Sequence, residues 1–87
     1  MIVLGISKLN NKLNIVGKNI KKYRELKGLS QNDVCCQMAL LGITLYKSDI
    51  YNIERGERIL KDFELFALSK IFKITLAELF KNIDIKF

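Results

Sequence analysis

Residues 30–56, SQNDVCCQMALLGITLYKSDIYNIERG, decide the architecture of this chain. Ser30 followed three positions later by Asp33 has the spacing of a capping box, in which a hydroxyl and a carboxylate satisfy orphan amides at a helix start. Val34, Cys35, Met38 and Leu41 recur at helical spacing after it, and Gly42 marks that helix's end. Residues 43–45 read as a turn. From Tyr46 or Lys47 a short helix follows, with Ile50 and Ile53 inward at i, i+3. That leaves Lys47, Tyr51 and Arg55 on one outward stripe and Ser48 and Asn52 on the next. Gly56 closes this helix.

The flanks carry the same periodicity. Across residues 15–27, Ile15, Val16, Ile20, Tyr23 and Leu26 share a broad apolar face, while Lys18, Lys21, Lys22 and Lys27 stay solvated; Gly28 ends the helix. Beyond the polar link 57–61, a helix from Asp62 to about Phe72 is expected to bury some combination of Leu65, Phe66, Leu68, Ser69 and Phe72. Thr75 and Glu78 form a second capping box, TLAE, opening a short last helix that presents Leu79 and Phe80. Residues 1–14 stand apart as an apolar, β-prone run followed by the polar KLNNKLN. Residues 82–87 alternate apolar and polar at Ile83, Ile85 and Phe87, a short strand pattern. The expectation is an all-α domain of five helices over 15–81. An N-terminal extension (1–14) and a C-terminal tail (82–87), non-helical or β-like, flank it.

Composition bounds what such a domain does. With 87 residues the chain can build one hydrophobic core, and 49% hydrophobic residues without proline favour a compact helical fold over disorder. Fifteen basic against nine acidic residues give a formal charge of +6, the sign that suits a polyanionic partner once the charge is located. Cys35 and Cys36 are adjacent and no histidine exists to join them, so no metal site and no cofactor are expected. Without a histidine, a glycine-rich phosphate loop or a nucleophile–base spacing, an enzyme is the class least expected. No secretory leader and no apolar run of about 20 residues is found, so a cytoplasmic, reduced protein without membrane attachment is expected.

Ile20, Tyr23 and Arg24, then Gly28-Leu29-Ser30-Gln31, then Ile50, Ile53-Glu54-Arg55-Gly56, and finally Ile74-Thr75 with Glu78-Leu79-Phe80, stand in an order and spacing that resembles a family. Residues 16–80 are similar to a lambda repressor-like helix-turn-helix domain of the Cro or Xre type. The chain departs from that pattern by about five extra residues, 40–44, which implies an added turn on the second helix and a longer loop. Tyr46 stands where a Ser or Thr cap is usual, and Lys73 where Gly is usual.

The resemblance implies sequence-specific binding of double-stranded DNA by a bacterial, plasmid or phage transcriptional regulator, a repressor, that reads the major groove with its third helix. By position in the family, Lys47, Ser48 and Asn52 would meet base edges. Lys suits guanine, Asn adenine, and Ser is permissive. Gln31, Tyr51, Arg55, Arg58, Lys18, Lys21 and Lys22 would contact the DNA backbone. Arg24 and Glu54 would form a structural ion pair, and Cys35 would serve as a small core residue. A homodimer is expected, because one small module reads too few base pairs and two half-sites about 34 Å apart supply the rest. The competing expectation is a protein-interaction module of the same fold, like an antitoxin or antirepressor, without dependence on DNA.

Overall fold

Among the described residues, each helix starts where a side chain takes up a free backbone amide. A computed structural model describes residues 8, 9 and 11–85. Among these, five helices follow in order: α1 Gly17–Leu26, α2 Gln31–Leu40, α3 Lys47–Glu54, α4 Asp62–Phe72 and α5 Leu76–Leu79. At α2 the Ser30 hydroxyl accepts the Asp33 N–H (3.0 Å) while the Asp33 carboxylate accepts the Ser30 N–H (2.7 Å). At α5, Thr75 and Glu78 repeat this reciprocal arrangement. Asp49 accepts the Tyr46 N–H at 2.8 Å to open α3, and Glu64 accepts the Lys61 N–H at 3.0 Å to open α4. For α1 the acceptor comes from outside the helix: Asn14 Oδ1 takes the Val16 N–H at 3.1 Å. Each such bond satisfies one of the amides that a helix start leaves unpaired.

The core draws on every helix. Val16, Ile20, Val34, Met38, Leu45, Ile50, Ile53, Ala67, Leu68, Phe72 and Leu79 are buried together. α3 packs on both α1 and α2, and α4 packs on α1, α2 and α5. The α3 seam with α1 is close because Gly17 has no side chain. A Cβ there would collide with the Ile53 carbonyl oxygen and lie 2.8 Å from that of Glu54. Gly56, at φ +74°, turns the chain sharply out of α3.

Several positions expected in the core lie elsewhere. Ile15 (37% exposed) and Leu26 (67%) flank the buried side of α1, which is centred on Gly17 and Ile20. Leu41 is exposed because α2 ends at Leu40 and Gly42, at φ +82°, carries the chain away. Phe66 is exposed, while Ser69 takes an inward place by donating its hydroxyl to the Phe66 carbonyl at 2.6 Å, which removes the penalty of burying it. Residues 83–85 form no strand. The β-prone run 1–6 and Phe87 lie outside the described residues. Leu13 and Asn14, expected in a separate extension, instead bond to the end of α3: the Leu13 N–H donates to Gly56 O at 2.8 Å, and Asn14 Nδ2 donates to Ile53 O (3.0 Å) and Arg58 O (2.9 Å).

Candidate nucleic-acid interface

The sequence of α3 divides its residues between core and solvent. Ile50 and Ile53 are fully buried, and the i, i+4 geometry turns Lys47, Ser48 and Arg55 outward, with Tyr51 51% exposed and Asn52 half-buried. Side chains of Lys47, Ser48 and Asn52 hydrogen-bond no other described residue, in contrast to Asp49, which is engaged at the helix start. Asp49 also lies 3.5 Å from the Arg58 guanidinium, so the one acid near the N-terminal half of this face is offset by a cation. The face thus offers an ammonium, a hydroxyl, a carboxamide and a phenol on about two turns of helix.

Beside it lies an open cleft of about 400 Å³ lined by Lys18, Lys21, Arg24, Gln31, Tyr51, Glu54 and Arg55. Five of the seven residues assigned to backbone contact from sequence, Lys18, Lys21, Gln31, Tyr51 and Arg55, therefore meet around one depression between α1, α2 and α3. Its floor is the Arg24–Glu54 pair. Arg24 Nε donates to Glu54 Oε2 at 2.6 Å and Nη2 to Oε1 at 3.1 Å, while Nη1 reaches the Leu29 carbonyl at 2.9 Å. The two side chains are 11% and 4% exposed. Hydrogen bonding to Glu54 raises the Arg24 pKa against the opposing effect of burial. One carboxylate on α3 thereby holds Arg24 of α1, and it also accepts Gln31 Nε2 from the first turn of α2 at 3.2 Å. Such a buried, satisfied pair fixes geometry more than it adds stability, since desolvation offsets most of the attraction.

Three of these residues have partners within the fold. The Arg58 side chain is 25% exposed and engaged within the fold. It forms a two-pronged pair with Glu64 (2.9 and 3.0 Å) and donates to Ile59 O, so its guanidinium serves the α3–α4 link. Gln31 has one amide hydrogen committed to Glu54, leaving it a positioned rather than a free donor. Lys22 lies outside the cleft with its ammonium over the Tyr23 ring at 5.7 Å. Arg55 is exposed, stacked over Tyr51 at 5.4 Å and paired with Glu57 at 3.1 Å. Sequence offered a signal for these pairings, an acid two residues after Arg55 and another six after Arg58. It offered none for Asn14, whose carboxamide joins α1 to the end of α3. Burial pushes the Cys35 thiol up from its ordinary value, consistent with packing in place of reactivity.

Among the described residues no group of three or more His, Cys, Asp or Glu side chains is arranged to hold a metal, and no helix is long and apolar enough to cross a membrane. Neither a protein-family model nor a curated protein matches this chain. It is similar to the solved structure of the restriction-modification controller protein C.AhdI from Aeromonas hydrophila. The TM-score is 0.66 and the sequence identity 28%, over 78% of this chain and 96% of that one. The described residues form five helices and no sheet, an all-α fold that matches this likeness.

Proposed function

We propose that this chain is a sequence-specific double-stranded DNA-binding regulator of transcription, a repressor of the Cro or Xre kind, that places α3 in the major groove. The observation that carries the reading is the meeting of a polar, unpartnered α3 face with the cleft of Lys18, Lys21, Gln31, Tyr51 and Arg55. A groove-reading element needs base-edge donors and acceptors on one face and cations at the flanking phosphates, and the two sets lie side by side here. Lys47, Ser48 and Asn52 meet base edges. Lys18 and Lys21 bind phosphates, the Gln31 amide adds a donor held by Glu54, and Arg55 exchanges its exposed Glu57 partner for a phosphate. The likeness to a protein that is itself a controller supports regulation over a purely structural role. Two copies bind together, each reading one half-site, and the protein works in the cytoplasm.

The test is affinity measured against salt, with both a random duplex and a duplex selected from a random pool. A DNA reader loses affinity steeply as salt rises, whereas a protein-only binder of the same fold shows almost no affinity to lose. At the selected site, Lys47→Ala or Asn52→Ala is expected to weaken binding by about 1 to 3 kcal/mol with the fold intact. Unchanged affinity in both folded variants would move recognition off α3.

A further inference from the structure

Residues 8, 9 and 11–14 lie as a strap against the C-terminal end of α3. Leu9 and Lys12 bridge through paired backbone bonds of 3.0 Å, with Asn11 in the left-handed region at φ +62°. Lys12 Nζ then donates to the Arg55 carbonyl at 3.0 Å, and its stem lies so close that a Cβ at position 56 would be 2.7 Å from Lys12 Cδ. A lysine at that carbonyl complements the negative end of the helix. It uses one of three ammonium hydrogens, so two remain for another acceptor.

A second cleft of about 480 Å³ opens beside the strap, and Lys12, Lys18, Glu54 and Arg55 are in its walls. Lys18, Glu54 and Arg55 also line the cleft between α1, α2 and α3, so the two depressions share a wall. Lys21 and Lys18 on α1, Arg55, and Lys12 on the strap therefore border two adjoining depressions, with Glu54 in the wall they share. Two acids border this edge: Asp84, which lines the second cleft, and Glu57, whose carboxyl pKa is lowered from its ordinary value by the Arg55 hydrogen bond, with the charges of Lys12 and Lys8 acting in the same direction. Asn14 fixes the path of the strap through its bonds to Ile53 O and Arg58 O.

We infer that Lys8 and Lys12 extend the phosphate-binding edge beyond the helix-turn-helix unit, contacting the DNA backbone past the C-terminal end of α3. This rests on the DNA-binding reading of α3 and enlarges its footprint. The contact is electrostatic and carries no base preference, so it raises affinity for every duplex alike.

The experiment compares the full chain with Lys8→Gln/Lys12→Gln, measuring affinity for a random-sequence duplex across a salt series. Lys70→Gln/Lys73→Gln, which removes the same charge from the exposed side of α4 and its end, is the control. Each phosphate contact contributes about 0.9 to the slope of log affinity against log salt, so the strap variant is expected to lose roughly 1.8 and the control almost nothing. Lys12→Arg keeps the charge and should keep the slope, which separates phosphate contact from any change in how the strap packs. The inference falls if the strap variant and the control lose the same slope, or if Lys12→Arg behaves as the Gln variants do. A native chain whose affinity is absent or flat in salt instead rejects the DNA reading itself.

Discussion

Replacing Arg58 by Met separates two roles that sequence alone confuses. In the structure the guanidinium makes two short bonds to Glu64, one to the Ile59 carbonyl, and lies 3.5 Å from Asp49. Glu64 is 2% exposed, and once Arg58 is gone its remaining described partner is the Lys61 N–H. Removing one member of a buried pair costs about 3 to 5 kcal/mol, because the other charge is left desolvated. The Arg58 side chain is 25% exposed, so water reaches that side of the pair and the lower end of this range, about 3 kcal/mol, is expected. For a domain of this size that is a fall in melting temperature of roughly 12 to 24 °C, at about 4 to 8 °C per kcal/mol. Thermal and urea melts followed by circular dichroism measure it, and Arg58→Met/Glu64→Met should recover much of the loss by removing the stranded charge. Affinity for random duplex, measured well below the melting temperature, should keep the salt slope of the native chain. A variant that melts unchanged yet loses about 0.9 of that slope would refute the reasoning and return Arg58 to the phosphates.

Two further expectations follow from the same framework. Burial acts to raise the Glu64 pKa, but the Arg58 hydrogen bonds, the Lys61 amide and nearby positive charge outweigh it and leave the group below its ordinary value of 4.5. A carboxylate depressed in the folded state contributes stability that is complete above the unfolded value and lost as pH falls through the folded one. The urea midpoint should therefore drop as pH is taken below 4.5, and Glu64→Gln should flatten that drop; an equal pH dependence in both would assign the effect to other carboxylates. Lys73 ends α4 in the left-handed region at φ +56°, its N–H bonded to Lys70 O, a conformation that favours glycine. Lys73→Gly should stabilise the fold by about 0.5 to 1 kcal/mol, read as a higher melting temperature, and a lower one would show that the exposed side chain matters more than the backbone.

The helices were legible because their signals are local. Ser30 with Asp33, and Thr75 with Glu78, are within one turn of each other, and the spacing of Ile50 and Ile53 settles the inward side of α3 without help from the rest of the chain. The direction of α1 was less legible, since Ile15 and Leu26 look apolar enough to bury. What orients α1 is the absence of a side chain at Gly17, where the backbone of α3 must pass. A glycine near a helix start reads as a weak helix former until its neighbour is known. The strap escaped for a related reason. Polar residues such as Lys12 and Asn14 resemble a solvated extension in sequence, yet their partners are carbonyls 39 to 44 positions away. Backbone carbonyls at a helix end carry no sequence signature.

The same contrast separates the arginines from the lysines. The chain has three arginines, and each is paired: Arg24 with Glu54, Arg55 with Glu57 and Arg58 with Glu64. The first and last hold nearly buried carboxylates with two-pronged geometry, for which the planar guanidinium is suited and an ammonium is not. Only the Arg55 pair is exposed on both sides and open to exchange. Arg24 and Arg58 therefore serve the fold, and beside the exchangeable Arg55 the positive charge open to a polyanion is carried by lysine, a compact charge on a flexible stem that binds phosphate without demanding a bidentate partner. Arg58 is the cation near α3 whose guanidinium is already bonded to a buried carboxylate, so any phosphate would compete with Glu64 for it. If α3 reads bases, discrimination then rests on Lys47, Ser48 and Asn52 and not on a forked arginine contact to guanine.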